Sequence, residues 1–201
     1  MSANKTGLWV VDQRPMQVEQ MMFTDEMNRE LENLQDNKLK RVAIIGSRGI
    51  GKTLFAQALA GFQGLVLKVS ELENTRIQHT EAIILKGIDQ QPNAEILRIA
   101  ERAEKTILIA QEDISECTGE SNSFHAVNLG ELMPKNQKSF EKIKNYLLGV
   151  LDQNQIQFQI GDLQFQLNIE ELFDKLWPNM RQIVRQTQMR AKTGEWVSIP
   201  V

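Results

Sequence analysis

Residues 46–53 read Gly-Ser-Arg-Gly-Ile-Gly-Lys-Thr and fit the pattern G-x-x-x-x-G-K-[ST]. They follow an apolar run, Val42-Ala43-Ile44-Ile45, and lead into a stretch from Lys52 to about Ala60 that reads as a helix. Few octapeptides restrict a fold so far. Glycines let the backbone curl until successive N–H groups face inward, and the helix that follows adds the positive end of its dipole. Gly46, Ser47, Arg48, Gly49, Ile50, Gly51, Lys52 and Thr53 are therefore the candidate phosphate-binding residues. Lys52 is expected at the β- and γ-phosphates of a nucleotide, and Thr53 is expected to offer its hydroxyl to Mg²⁺. The plainer alternative is a glycine turn with a chance lysine. A buried strand before the loop and a helix after it favour the phosphate reading.

The rest of the chain supplies a matching frame. Leu65–Val69, Ala82–Leu85, Thr106–Ala110 and Ala126–Leu129 are short apolar runs, and each reads as a buried strand. Residues 16–36 read as a helix with Val18, Met21, Met22, Met27, Leu31 and Leu34 on its buried face. Asn93–Glu104 reads as another, with Ile96, Leu97, Ile99, Ala100 and Ala103 inside. Apolar strands alternating with helices predict an α/β fold with a parallel sheet covered on both faces.

After Met133 the pattern changes. Ser139–Leu151 reads as a helix that Ser139 can cap. Gln155–Gln166 alternates apolar and polar residues around Gly161-Asp162, which predicts a hairpin. Helices are expected over 169–176 and 178–191, with Pro178 in the first turn of the second. The expected division is a core of residues 1–133 and a mainly helical C-terminal lid of residues 134–201.

Composition excludes several classes. No apolar run approaches the roughly 18 residues that cross a membrane, and MSANKTGLWVVDQ has no stretch resembling a signal peptide, so a cytoplasmic location is expected. One cysteine, Cys117, excludes an internal disulfide framework and a multi-cysteine zinc site, and it reads as a small buried residue. The net charge of −3 gives no global attraction to nucleic acid. Arg181, Arg185 and Lys192 can lie near one another on a helix, with Arg190 adjacent in projection, and meet phosphate, although a solvated basic face is the commoner arrangement.

Two segments carry a family resemblance. Leu8-Trp9-Val10-Val11-Asp12-Gln13-Arg14-Pro15 is similar to the "LWVEKYRP"-like opening of replication factor C small subunits and bacteriophage clamp loaders, with Trp9, Arg14 and Pro15 matching. Leu176-Trp177-Pro178-Asn179-Met180-Arg181 resembles the "fPdlRk" start of the last lid helix in those AAA+ ATPases. The resemblance spans residues 8 to about 192. It implies a P-loop AAA+ core with ATP or ADP and Mg²⁺ bound between core and lid. It places the N-terminal segment beside the adenine and Arg181 over the γ-phosphate as sensor 2. It also implies other AAA+ or replication proteins as partners, DNA as a candidate ligand, an oligomer as the assembly, and no membrane.

The same comparison marks departures. The third strand of such ATPases ends in Asp-Glu, but here it runs into Lys86-Gly87. Asp89 is the candidate replacement on the metal side, and Gln111 the candidate at the polar position after the fourth strand. Ser115-Glu116-Cys117 stands where clamp-loader subunits carry "SRC", and no arginine occurs between Arg102 and Arg181. The segment Glu71–Thr80 is short for the extra helix of clamp loaders, and no collar domain is expected after about residue 195. Three functions stay open on these grounds. The first is a clamp-loader-like ATPase or switch subunit with weak hydrolysis, in DNA replication or a related mobile-element process. The second is a non-hydrolysing nucleotide-binding adaptor. The third is a structural or inhibitory partner of another AAA+ assembly.

Overall fold

The computed structural model describes residues 8, 9, 15, 21–70, 82–88, 103–111, 124–154 and 163–193, with backbone alone for 163–168. All five expected apolar runs form strands: β1 (Arg41–Ile45), β2 (Leu65–Lys68), β3 (Ala82–Lys86), β4 (Lys105–Ala110) and β5 (His125–Asn128). They make one sheet in the order β2-β3-β4-β1-β5, and every pairing is parallel. Strands covered on both faces must be apolar at nearly every position, which is why β3 and β4 are legible as continuous runs.

Side-chain alternation divides these strands between two layers. Val42, Ile44, Ile84, Ile107, Ile109 and Val127 face α1 (Asp25–Asp36) and α2 (Lys52–Leu59) in one cluster. Ala43, Ile83, Leu85, Leu108 and Ala110 face the other way, with Val69 and Ile88. Phe55 of α2 is fully buried against the first face, and its ring lies 5.6 Å from that of Phe23. Burial of such a side chain contributes roughly 2–3 kcal/mol. The expected helix over Asn93–Glu104 lies outside the described residues except at Ala103 and Glu104, which form a bend.

The first helix begins later than its apolar spacing predicts. Residues 16–20 lie outside the described residues, and Met21–Phe23 are not helical. Thr24 is extended (φ −67°, ψ 166°), and its hydroxyl accepts from the Met27 N–H at 3.1 Å. Asp25 and Glu26 follow in the first turn, where negative charge suits the dipole. Thr-Asp-Glu is a start signal, but Met21 and Met22 are in register with the helix face and mask it. They belong instead to a buried entry segment.

Three helices form the C-terminal part: α3 (Gln137–Gln153), α4 (Leu163–Leu176) and α5 (Met180–Thr193). Their buried faces share a cluster that includes Phe140, Ile143, Leu147, Leu172 and Ile183. Trp9 is buried in it too, and its backbone N–H donates to Gln188 Oε1 at 3.1 Å. Three expectations change here. Asn136, not Ser139, caps α3, accepting from Ser139 N–H at 2.9 Å. Ser139 is buried, and its hydroxyl donates to Pro134 O. The second strand of the expected hairpin is the first turn of α4; residues 155–162 lie outside the described residues. Phe165, Ile169, Leu172, Phe173 and Leu176 have helical spacing, and that longer period overrides the local alternation. Pro178 stands in the turn before α5, and Asn179 Oδ1 accepts from Gln182 N–H at 3.1 Å as a cap.

An ion-paired contact joins α1 to α3. Asp25 binds Lys138 and Lys142, and Lys142 also donates to Phe23 O at 2.9 Å. Hydrogen bonds from Lys138 and Lys142, helped by their charge, hold the Asp25 carboxyl down at about 2 instead of 3.8. A depressed carboxylate stabilises the fold fully above its unfolded value and loses that contribution as pH falls through the folded value. The melting-temperature gap between the parent chain and Asp25→Asn should therefore narrow as pH is lowered from 3.8 towards about 2. A gap that stays constant through this window would rule the contact out as a pH-dependent link.

Candidate phosphate-binding site

The site lies where the strands end. In an open parallel sheet, ligands gather in the crevice beyond the carboxyl ends. Ile45 pairs with Ala110, and Lys86 with Ile109, so Gly46, Gln111 and Gly87 leave the sheet along one edge. Residues 46–51 form the loop between β1 and α2. Gly49 (φ +83°) and Gly51 (φ +104°) take left-handed backbone that L side chains resist. Gly51 then caps α2 without a side-chain hydrogen bond. That helix therefore begins with N–H groups available to an anion. Lys52 folds back over the loop, where its ammonium donates to Gly46 O and to Ser47 O at 2.8 Å.

A cavity of about 570 Å³ opens beside the loop. Arg48, Lys52, Lys86 and Arg181 line it, with Thr53, Gly49 and Gly51. Met21, Phe23, Met27, Tyr146, Met180 and Val184 line it as well. Burial pushes the Tyr146 hydroxyl pKa up. The lining thus combines cations that suit a polyphosphate with apolar side chains that suit a flat ring.

The start of α5 closes over the loop. The Arg181 N–H donates to Gly49 O at 3.3 Å. A Cβ on Gly49 would lie 2.0 Å from Asn179 Oδ1, so any other residue there must displace Asn179 as well as strain the backbone. Arg181 is exposed in the first turn of α5 and lines the cavity. Pro15 lines it as well, whereas Trp9 packs among the C-terminal helices.

The sequence-predicted residues divide as follows. The structure brings Arg48, Gly49, Ile50, Gly51, Lys52, Thr53 and Arg181 together around the cavity, while Gly46 and Ser47 are not part of its lining and accept from Lys52. Gln111 is exposed, follows β4 on the same edge, and lies outside the cavity lining. Asp89 and the Ser115-Glu116-Cys117 stretch lie outside the described residues. Arg190 does not join the basic face expected on α5: it is 5% exposed and pairs with Glu171 at 3.3 Å. Burial pushes Glu171 up, but Lys175 and Arg190 outweigh it and hold the carboxyl below its ordinary range. Arg181, Arg185 and Lys192 do remain exposed along that helix.

Sequence reasoning missed the apolar wall and the cavity role of Lys86. Ala82, Ile84 and Lys86 share a face of β3, and Ile84 belongs to the layer beneath α2. That alternation turns Lys86 towards the loop. Strand period alone could have found it once β3 was placed.

No protein-family model matches the chain, and no curated protein matches it in sequence. Solved structures do match. A point variant of RuvB from Thermotoga maritima has a TM-score of 0.60 at 15% identity, covering 88% of this chain and 64% of that one. AMPPCP-bound DnaA from Aquifex aeolicus has 0.60 at 14%, covering 89% and 65%. Domain III of the Thermotoga maritima replication initiation protein DnaA has 0.57 at 11%, covering 90% and 91%. The chain spans just under two thirds of the first two structures. At these identities the likeness is one of fold. The chain shares with these structures an α/β architecture, a five-stranded parallel sheet flanked by helices with a helical C-terminal part.

Proposed function

We propose that the chain binds ATP or ADP in the cavity between the glycine loop and α5, and acts as a nucleotide-dependent AAA+ switch with weak intrinsic hydrolysis. The observation that carries this reading is the joining of a phosphate loop, an apolar wall and a lid-helix arginine around one cavity. Residues 1–133 serve as the core and 134–201 as the lid. The loop N–H groups and Lys52 hold the β- and γ-phosphates, the base lies against the methionines and Phe23, and Arg181 reaches the γ-phosphate from the lid. Among the similar structures one is bound to AMPPCP and another is part of a replication initiation protein. The first supports nucleotide as the ligand and the second a replication role; the proposal extends this to a clamp-loader-like or other replication function with AAA+ partners and DNA, in the cytoplasm. No described helix is long and apolar enough to cross a membrane.

Mg²⁺ is the proposed metal, held through the Thr53 hydroxyl; no described lining residue offers a carboxylate. Hydrolysis is weak on this reading, because Lys86 closes β3 where an acid would orient water. Asp89 and Gln111 remain the proposed substitutes. Lys86 also favours the second reading, an adaptor that binds nucleotide without turning it over.

Calorimetric titration with ATP and ADP tests the switch. Arg181→Ala should reduce the preference for ATP more than it reduces ADP affinity, because only ATP brings a γ-charge to the lid. Phosphate release by the purified chain should stay below about 1 s⁻¹, the low end for enzymes. Turnover well above that, abolished by Lys52→Ala, would overturn the weak-hydrolysis reading. An unchanged ATP preference in Arg181→Ala would reduce the lid to a packing module.

A further inference from the structure

Arg48 and Arg181 both line the cavity, and both are exposed. Arg48 precedes Gly49 in the loop, and Gly49 O accepts from the Arg181 N–H at 3.3 Å. The two side chains therefore leave adjoining stretches of backbone, one in the glycine loop and one in the first turn of α5. The junction is closely packed, since a Cβ on Gly49 would meet Asn179 Oδ1 at 2.0 Å. Among the described residues neither guanidinium takes part in an ion pair.

Like charges anchored this close repel in the empty chain, and an anion lying between them removes the repulsion. A guanidinium presents a planar fork of N–H donors that takes phosphate oxygens two at a time. The position along a polyphosphate follows from the loop. Its N–H groups and Lys52 hold the β-phosphate of ATP and ADP alike on the reading above, and only ATP extends beyond it. Two forks from two segments suit that terminal group, which offers three free oxygens.

We propose that Arg48 is a specificity-determining residue that, together with Arg181, clamps the terminal phosphate of a nucleoside triphosphate. The inference rests on the nucleotide reading above and adds a loop-borne cation to the choice of ATP over ADP. Arg48 belongs to the loop, so its grip on the γ-phosphate does not depend on the lid. Arg181 brings the lid to the same group, and the γ-phosphate then ties loop to α5 through side chains as well as through the Arg181–Gly49 backbone bond.

The test is calorimetric titration of ATP and of ADP into the whole chain, parent and variants. Arg48→Gln should weaken ATP binding about tenfold or more, and ADP binding by less than about threefold, because the lost hydrogen bonds are charge-assisted and reach only the γ-phosphate. Arg48→Lys should fall between the parent and Arg48→Gln, since it keeps the charge and loses the fork. Without nucleotide, Arg48→Gln should melt at or slightly above the parent midpoint in low salt, because one of two repelling charges is gone. An equal loss for ATP and ADP would place Arg48 on a phosphate common to both and overturn the inference. An unchanged ATP preference in both variants would overturn it too, and is the result expected if an acid outside the described residues holds Arg48. A midpoint several degrees below the parent in both variants would make Arg48 a residue of the fold instead of the ligand site. These three results leave nucleotide binding standing. Absence of ATP and ADP binding by the parent chain overturns the nucleotide reading and this inference with it.

Discussion

Lys52→Ala should lower ATP affinity by about a hundredfold or more, since two or more charge-assisted hydrogen bonds at roughly 1.5–3 kcal/mol each are lost. The lysine stands at the first position of α2, over the curl of the loop, and donates to the carbonyls of Gly46 and Ser47. Those bonds hold the ammonium against the loop. Alanine is the best helix former, so α2 should keep its start, and the thermal midpoint should fall only a few degrees. Calorimetry with ATP and ADP, beside circular dichroism melts, separates lost binding from lost fold. Undiminished affinity in a folded variant would mean that the loop is a turn and the phosphate site lies elsewhere.

Gly49→Ala should have the largest effect on stability of any single methyl group added to the loop. Its φ of +83° costs an alanine about 1–2 kcal/mol. The new Cβ would also lie 2.0 Å from Asn179 Oδ1. Asn179 can swing aside, but it then releases the Gln182 N–H that it caps, at about 1 kcal/mol. Together these come to about 2–3 kcal/mol, or roughly a 5–10 °C lower midpoint for a chain of this size. The same displacement moves the start of α5 and Arg181 away from the loop, so nucleotide affinity should fall as well. A double-mutant cycle with Asn179→Ala isolates the contact. The double variant should lose less than the sum of the singles, because the cap can be lost only once. Strict additivity, or a Gly49→Ala midpoint within about a degree of the parent, would show that α5 does not rest on the loop.

The central strands β1, β3 and β4 were legible because strands buried on both faces need no alternation to be seen, whereas the edge strands β2 and β5, expected to be buried, are mostly exposed or half-buried. The loop was legible because the G-x-x-x-x-G-K-[ST] pattern sets glycine, lysine and threonine at fixed spacings. Other features were hidden for identifiable reasons. Met21 and Met22 fit the helical period of α1 while lying outside it, because a buried entry segment is as apolar as a helix face. Leu163, Phe165 and Leu167 alternate like a strand, and only the continuation through Ile169 and Phe173 shows the helix. Asn136 and Ser139 are both good caps, and the hydrogen bond to Pro134 O decides which one is buried.

The apolar wall draws Met21 and Phe23, Tyr146, and Met180 and Val184 from three distant segments. Periodicity marks such residues as buried without saying that they meet. Lys86 was visible in sequence only as a missing acid. Its presence in the cavity depends on sheet order and strand register, which are non-local. Arg190 looked like part of a basic face because the sequence does not show Glu171 coming alongside it.

The most direct test of a nucleotide held between loop and lid is a crystal structure of the chain with a non-hydrolysable ATP analogue. It should show the phosphates on the N–H groups of residues 49–53, with the Lys52 ammonium turned from the loop carbonyls onto the β- and γ-oxygens. The base should lie against Met21 and Phe23, and the Arg181 guanidinium should be within hydrogen-bond reach of the γ-phosphate, directly or through one water. Analogue bound elsewhere, or Arg181 pointing to solvent while Lys52 keeps its bonds to Gly46 and Ser47, would contradict it.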